Sequence, residues 1–278
     1  MSGENRVERY YAQQANAEWL RLLNPGDGAI EFAITTRMMS AHIEANSRVL
    51  DIGGGPGRYT IFLAEQGHRV VLADLSPELL DEARGHIADT GIGGHVEEVV
   101  TADACDLSRW RDRSFDAVAC LGPFYHLSEP ERREACTSEL ARVLRPGGVL
   151  FAAFMPRLAF LRRSMIAPAE RPHLRDPEFV RRVLDDGGFV NDAPGRFDAG
   201  YGARPEELEP FFSLHNFERV ALIAVEGISP PASSALTEMA ETDPVDYAAV
   251  IDVIAATANE PSILGAANHL LYVGRKRG

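Results

Sequence analysis

The sequence has few cysteines, no long apolar run and a deficit of basic residues. Its three cysteines, Cys105, Cys120 and Cys136, show no CxxC spacing, which disfavours both a zinc ribbon and a disulfide-stapled fold. The longest apolar stretches, Val149–Met155 and Val220–Val225, are far shorter than the roughly 20 residues needed to span a bilayer. The first residues lack the apolar segment of a secretory signal. These absences predict a cytoplasmic protein with no membrane partner.

The net charge of the chain indicates which classes of partner it favours. Lys and Arg number 28 against 41 Asp and Glu, which gives a formal net charge of −13. Such a chain repels phosphates at long range, so nucleic acid is not the expected substrate. With 278 residues, the chain can bury a large core without disulfides or metals. The sequence leaves open whether the protein is a monomer or a homodimer.

From position 48 onward, short apolar runs alternate with segments of helical spacing. This rhythm predicts βαβ units, and nearly continuous apolar strands indicate a parallel sheet covered on both faces. The predicted strands are 49–52, 69–74, 96–104, 115–121, 149–155, 217–226 and 268–275. The predicted helices between and after them are 59–66, 77–88, 130–144, 204–212 and 233–259, the last broken at Pro244.

Two segments break this rhythm. Residues 1–45 predict two helices, separated by a turn that contains Pro25, Gly26 and Gly28. Residues 156–203 are rich in arginine, proline and aspartate, which predicts an irregular or helical insertion. A single domain over 1–278 accommodates both segments around the sheet.

The strongest local signal is a glycine-rich turn between the first strand and a helix, in the stretch VLDIGGGPGRYT. Gly53, Gly55 and Gly57 permit positive φ and let a ligand approach the backbone closely. In open α/β sheets, ligands bind at the carboxyl ends of such strands. A tight turn without a ligand is the alternative, but four glycines in five positions exceed what a turn requires.

The residues around this turn narrow the choice of ligand. Arg58 stands where the dinucleotide fingerprint needs glycine or alanine, which disfavours an NAD-dependent dehydrogenase. The Lys-Ser/Thr ending of a P-loop is absent as well. Asp51 at the start of the turn would repel a pyrophosphate and favours a cationic ligand, such as an ammonium or a sulfonium.

Two further acids end the second and third predicted strands. Asp74 could accept hydrogen bonds from both ribose hydroxyls of a nucleoside. Its alternative role as a helix N-cap falls to Ser76, which precedes a proline. Asp103 could accept a hydrogen bond from the exocyclic amine of an adenine. A simple turn aspartate is the alternative at that position.

Together these residues resemble the class I S-adenosylmethionine-dependent methyltransferases of the bacterial small-molecule type. The motifs that carry the resemblance are VLDIGGGPGRYT, VVLADLS, FDAVACLGPFYHL, LARVLRPGGVLFAAF and SILGAANHLLYVGRKR. The resemblance implies a Rossmann-like seven-stranded sheet in the order 3-2-1-4-5-7-6, with strand 7 antiparallel, helices on both faces and a helical lid. It implies that 1–45 forms the N-terminal lid, 46–155 the cofactor-binding core, 156–203 the lid and substrate insertion, and 204–278 the rest of the sheet.

The resemblance also assigns S-adenosylmethionine, with S-adenosylhomocysteine as product, to named positions. For the methionine part, the implied residues are Asp51, Gly53, Gly54, Gly55, Gly57 and Leu121. The residues implied for the ribose are Asp74 and Leu75. Those implied for the adenine are Asp103 and Ala104. Tyr11 is expected as a lid residue over the cofactor, although an aromatic stripe with Tyr10 and Trp19 is also typical of a helix core.

The implied reaction is methylation of a small molecule, on oxygen or nitrogen first and on carbon next. A base is needed only for a protonated nucleophile, and Tyr125 and His126 are the best-placed candidates. The alternative for Tyr125 is a residue of the pocket wall. The alternative for His126 is a residue that caps or packs against the following helix. The histidine spacing does not indicate a metal, and His269 is interpreted as a core residue of an apolar strand. The alternative function is a cofactor-binding protein of this fold with a regulatory or non-methylating role, such as cyclisation.

Overall fold

The structure, a computed structural model, describes residues 15–190 and 199–278. Its strands are β1 (Arg48–Ile52), β2 (Arg69–Asp74), β3 (Val96–Thr101), β4 (Phe115–Cys120), β5 (Leu144–Pro156), β6 (Gly188–Val190), β7 (Ala199–Ala203), β8 (Phe217–Ala224) and β9 (Leu270–Lys276). Its helices are α1 (Ala15–Arg21), α2 (Gly28–His42), α3 (Arg58–Glu65), α4 (Pro77–Thr90), α5 (Pro130–Val143), α6 (Arg157–Ile166), α7 (Pro177–Asp186), α8 (Pro205–Leu214), α9 (Ser233–Thr242), α10 (Pro244–Thr257) and α11 (Pro261–Leu264).

The central sheet has the strand order β3-β2-β1-β4-β5-β9-β8. The first five of these strands are parallel, and β9 runs antiparallel to both β5 and β8. If the seven strands of this sheet are numbered along the chain, their order is 3-2-1-4-5-7-6, and strand 7, which is β9, is antiparallel. This confirms the predicted topology. The strands β2 and β3 lie on one side of β1, and β4 and β5 lie on the other. Because the chain reverses its direction of strand addition between β1 and β4, a crevice opens at the carboxyl ends of these two strands.

Apolar side chains fill a core on each face of the sheet. Along β1, Leu50 and Ile52 pack in one core with residues of α5 and α8. Val49 points to the other face and packs with residues of α2, α3 and α10. This alternation is the period-two geometry of a strand, and burial on both sides explains why the strands are apolar almost throughout.

The segment 156–203 differs in part from its prediction. It contains α6 and α7 with a short 3-10 helix (Arg171–Arg175), as expected, but it also contains the antiparallel hairpin of β6 and β7. Strand β7 extends the carboxyl end of β5, pairing Gly202 with Met155. The sequence hides this hairpin because its strands are short and glycine-rich, so no alternation of apolar and polar residues marks them.

A buried arginine ties this hairpin to the helices around it. Arg157, at the start of α6, is only 6% exposed and donates to both carboxylate oxygens of Glu207, at 2.9 and 2.8 Å. It also donates to the backbone carbonyl of Gly202 at 3.2 Å. Glu207 in turn accepts from the Tyr201 hydroxyl at 3.2 Å and from the Arg204 backbone N–H at 3.1 Å. Three structural elements, α6, β7 and α8, therefore meet at this one carboxylate.

Removal of that carboxylate is expected to destabilise the protein. Glu207→Ala leaves the buried Arg157 guanidinium without its anion, and should lower the free energy of unfolding by about 3 kcal/mol. Glu206→Ala is the matched control, because its side chain is 71% exposed, and it should change stability by less than about 0.5 kcal/mol. Urea unfolding measures both, and equal midpoints for the two variants would contradict the role assigned to Glu207.

Candidate active site

A cavity of about 350 Å³ lies at the carboxyl ends of β1, β2 and β4. The residues predicted from the sequence that line it are Asp51, Gly53, Gly54, Gly55, Asp74, Leu75, Asp103, Ala104, Leu121, Tyr125 and His126. Gly57 does not line it, and Tyr11 lies outside the described residues. The fold therefore brings these predicted residues together around one cavity.

The glycine-rich turn has the backbone geometry that its sequence predicts. The φ angles of Gly53, Gly55 and Gly57 are 72, 53 and 86°, in the left-handed region that glycine adopts without strain. At Gly54, an added Cβ would lie 2.6 Å from the Asp51 carboxyl, so only glycine lets the turn close over that group. Gly57 is the N-cap of α3 and shapes the turn, and its contact with the cofactor stays a prediction.

Asp74 fastens the turn to the second strand. It is 8% exposed, and its two oxygens accept from the backbone N–H groups of Gly55 and Ser76, each at 2.9 Å. Ser76 caps α4 by accepting from the Leu79 N–H, as the sequence predicts. Burial raises the pKa of Asp74. Because a carboxylate oxygen has two lone pairs, both oxygens could still accept from a ribose.

Asp51 is fully buried and only half satisfied. Its Oδ2 accepts from the Thr60 hydroxyl at 2.7 Å, whereas Oδ1 has no hydrogen-bond partner among the described residues. Burial raises the pKa of Asp51 to about 7, and the nearby Asp74 carboxylate adds to the effect. A buried anion without a partner is costly, and a cation supplied by a ligand would relieve that cost.

Asp103 is already engaged within the protein. Its Oδ1 accepts from the Cys105 N–H at 2.9 Å, and its Oδ2 pairs with the Arg132 guanidinium of α5 at 2.9 Å. Arg132 also lines the cavity, and no motif marks it because it lies 29 residues further along the chain. The contact between Asp103 and an adenine stays a prediction.

Tyr125 and His126 follow β4 at a short 3-10 turn and line the cavity. Burial raises the pKa of Tyr125, so its phenol keeps its proton at neutral pH and can donate a hydrogen bond. This disfavours Tyr125 as a base. Burial lowers the pKa of His126 to about 4, so its imidazole is uncharged at neutral pH and is a weak base. The catalytic role of either residue stays a prediction.

Arg58, which lines the cavity, is the first member of an aromatic and cationic stack. The Arg58 guanidinium lies 3.9 Å from the centroid of the Trp19 ring, and Trp19 stacks on His86 at 3.6 Å. Nε and Nη2 of Arg58 are buried and have no hydrogen-bond partner among the described residues. Trp19 belongs to α1, so this helix contacts the glycine-rich turn through Arg58.

A polar cluster beside the cavity was missed from the sequence. Arg21 donates to both oxygens of Glu31, and Glu226 is paired with His269. The interpretation of His269 as a core residue is wrong, because it precedes β9 and its side chain is 23% exposed. Nothing local signals these pairs, since Glu226 and His269 are 43 residues apart. Ligand atoms of Glu31, Glu226 and His269 lie within 4.8 Å of one another, so the absence of a metal stays a prediction.

Known proteins are similar to this chain in sequence and in fold. A family described as "Methyltransferase domain" matches residues 49–148. The ubiquinone biosynthesis O-methyltransferase of Xanthomonas axonopodis pv. citri (strain 306) is 33% identical over 186 residues, which cover 64% of this chain and 69% of that protein. The tRNA 5-carboxymethoxyuridine methyltransferase of Escherichia coli (strain K12) is 32% identical over 120 residues, 43% of this chain and 44% of that protein.

A solved structure matches nearly the whole chain. It is the Burkholderia thailandensis 1,6-didemethyltoxoflavin-N1-methyltransferase with bound 1,6-didemethyltoxoflavin and S-adenosylhomocysteine. The TM-score is 0.61 at 17% identity, and the match covers 99% of this chain and 88% of that one. At this identity the likeness concerns the fold.

This chain belongs to the class I S-adenosylmethionine-dependent methyltransferase family. The family cofactor, S-adenosylmethionine, fits the residues present. It carries an ammonium and a sulfonium, and the unpaired Oδ1 of Asp51 offers an anionic partner beside a turn that only glycine can form. No helix in the described part of the chain is long and apolar enough to cross a membrane.

Loss of Asp74 is expected to weaken cofactor binding. Asp74→Ala removes the acceptor for the Gly55 N–H and the predicted partner of the ribose, which should cost about 1–3 kcal/mol of binding free energy. Asp81→Ala is the control, because that side chain is 77% exposed on α4. Calorimetric titration with S-adenosylhomocysteine measures both. A dissociation constant unchanged in Asp74→Ala would show that the ribose binds elsewhere.

The burial of Asp51 predicts a pH dependence of stability. A carboxyl whose pKa is about 7 when folded and near 4 when unfolded lowers stability as pH rises from about 4 to 7, by up to about 4 kcal/mol. Asp51→Asn should therefore melt at a higher temperature than the wild type at pH 8, and the difference should vanish near pH 4. The same variant should lose affinity for S-adenosylhomocysteine. A melting difference independent of pH would contradict this account.

Proposed function

We propose that this chain methylates a hydroxyl or amine group of a small molecule, with S-adenosylmethionine as the methyl donor. When bound, that cofactor supplies an activated methyl group on a sulfonium sulfur. One observation carries the proposal. The cavity that is lined by Asp51, Asp74 and the glycine-rich turn is also lined by a polar set, Arg21, Glu31, Tyr59 and Tyr125.

Size and charge favour a small acceptor. The cavity volume of about 350 Å³ falls in the range of roughly 300–1,000 Å³ that is typical of small-molecule sites. Its described lining contains six acids (Glu18, Glu31, Asp51, Asp74, Asp103 and Glu129) and three arginines (Arg21, Arg58 and Arg132). An acidic wall on a protein of net charge −13 repels the phosphates of a tRNA.

Each residue that lines the cavity has a separate role in the proposed reaction. Asp51 pairs with the cationic part of the cofactor, and Asp74 holds the turn in place for its ribose. Tyr125 donates a hydrogen bond that orients the acceptor for in-line attack, and such orientation lowers the barrier to reaction. Arg58, held against the Trp19 ring, lines one side of the cavity, and exclusion of water strengthens each of these interactions.

The relatives agree with a hydroxyl or amine acceptor. The Xanthomonas relative is named an O-methyltransferase, and the Burkholderia structure is named an N1-methyltransferase with a small heterocycle bound. The tRNA methyltransferase matches less than half of this chain, so it weighs less in the choice of acceptor.

An acceptor screen tests the proposal. The protein is incubated with S-adenosylmethionine and catechol, other phenols, alcohols, amines or bulk tRNA, and S-adenosylhomocysteine is measured by mass spectrometry. We expect product with at least one small acceptor, none with tRNA, and none from Asp51→Asn under the same conditions. Transfer to tRNA alone would contradict a small-molecule acceptor, and cofactor binding without any transfer would favour the non-methylating alternative.

A further inference from the structure

Glu31, Glu226 and His269 form a compact cluster that the proposed function does not use. Each side chain offers one ligand atom, and the three atoms lie within 4.8 Å of one another. Nδ1 of His269 lies 2.5 Å from Oε1 of Glu226 and 3.6 Å from Oε2 of Glu31. Atoms bonded to one zinc ion at about 2.0–2.2 Å stand roughly 3–3.5 Å apart. Small side-chain movements would therefore give the cluster the dimensions of a three-ligand metal site.

Three separate parts of the fold bring these ligands together. Glu31 lies in the first turn of α2, Glu226 follows β8, and His269 precedes β9. The antiparallel pairing of Ala224 with Leu270 places Glu226 and His269 at the same end of their strands. The backbone N–H of His269 donates to Oε2 of Glu226 at 3.0 Å, which orients that carboxylate toward the ring. The positions of these ligands are therefore set by the sheet and by α2.

Burial distinguishes this cluster from the acidic groups of an ordinary protein surface. The side chains of Glu226 and Glu31 are 1% and 10% exposed, and that of His269 is 23% exposed. Two carboxylates held this close away from water repel each other, and burial makes each charge costly. A divalent cation between them would offset both charges at once.

The cations already present leave room for such an ion. Arg21 donates to both oxygens of Glu31, but within the described residues no arginine or lysine lies at ion-pair distance from Glu226. The partner of Glu226 is His269, and an imidazole is a cation only when it is protonated. A neutral imidazole instead offers a lone pair to a metal. Arg21 can keep its contact with Glu31, because each carboxylate oxygen has two lone pairs.

The donor atoms indicate the kind of metal. One imidazole nitrogen and two carboxylate oxygens are ligands that zinc binds in proteins. Mg²⁺ and Ca²⁺ favour sites made of oxygen alone, and Cu⁺ favours sulfur, which this cluster lacks. Three protein ligands also leave a fourth, open position on a tetrahedral ion. The donor set therefore favours a divalent transition metal.

We propose that Glu31, Glu226 and His269 bind a divalent transition-metal ion, with Zn²⁺ as the favoured ion. His269 binds through Nδ1, with its ring proton on Nε2, and each glutamate binds through one carboxylate oxygen. The His269 backbone N–H and Arg21 hold the two carboxylates in place. The site departs from the sequence prediction of no metal, and it does not depend on which acceptor is methylated.

Zinc titration tests the proposal without turnover. The purified full-length protein is treated with EDTA, dialysed and titrated calorimetrically with Zn²⁺, and separately with Mg²⁺. We expect about one Zn²⁺ per chain and much weaker binding of Mg²⁺. Glu226→Gln and His269→Asn should each weaken Zn²⁺ binding about 100-fold or more. The controls His215→Asn and Glu218→Gln change an imidazole and a carboxylate outside the cluster, and should leave the affinity unchanged.

Thermal melting gives a second readout and shows whether each variant folds. Because the ion joins α2 to the ends of β8 and β9, it should bind the folded chain alone. Zn²⁺ at about 100 times its dissociation constant should then raise the wild-type Tm by about 5 °C or more. The same Zn²⁺ concentration should leave the Tm of Glu226→Gln unchanged. Glutamine can still accept from the His269 N–H, and Glu31→Gln replaces this variant in both measurements if it does not fold.

Three results would overturn the proposal. The first is an EDTA-treated wild type that binds no Zn²⁺. The second is binding that the cluster variants retain with unchanged affinity, since the ion would then lie elsewhere. The third is Mg²⁺ binding as tight as that of Zn²⁺. Failure of every acceptor in the methylation screen would instead contradict the proposed function, and it would leave the zinc titration as it stands.

Discussion

A carboxylate buried without its counter-charge, that of Asp51, sets the conditions for the rest of the site. Its side chain is fully buried, Thr60 satisfies one oxygen, and the other has no partner among the described residues. The ligand-free protein carries this cost in stability. A ligand that places a cation beside this carboxylate would offset the cost, so we expect the site to favour a cationic ligand.

The sheet supplies the place where such an arrangement can persist. β2 and β4 flank β1, so the carboxyl end of β1 opens into a crevice. The Asp74 carboxylate accepts two backbone hydrogen bonds, one from Gly55 in the glycine-rich turn and one from Ser76 at the start of α4, and so joins these two segments. The polar cluster of Arg21, Glu31, Glu226 and His269 contributes charges that are balanced in pairs, and Arg21 and Glu31 of this cluster also line the cavity.

Features coded within a few residues could be predicted from the sequence. The apolar runs locate the central strands, the positive φ values fall at Gly53, Gly55 and Gly57, and Ser76 caps its helix as expected. Even the strand order follows, because the motifs resemble a family whose topology is known.

Features that depend on distant pairing were not predictable. The hairpin of β6 and β7 has no periodic pattern, and its place is set by contact with β5. Arg132 reaches Asp103 across 29 residues, and Glu226 reaches His269 across 43. His269 lies in an apolar stretch, so the sequence indicates a core residue. Its partner Glu226 is known only from the folded structure. Tertiary context decided each of these roles.

The central claim is that a cationic ligand group pairs with Asp51. It is tested most directly by calorimetric titration with S-adenosylhomocysteine near pH 6 in two buffers of different ionisation enthalpy, with NAD titrated in parallel. Pairing lowers the pKa of Asp51 from its value of about 7, so S-adenosylhomocysteine should bind with release of protons to the buffer, and NAD should not bind. Binding of NAD alone, or binding of S-adenosylhomocysteine without proton release, would contradict the account.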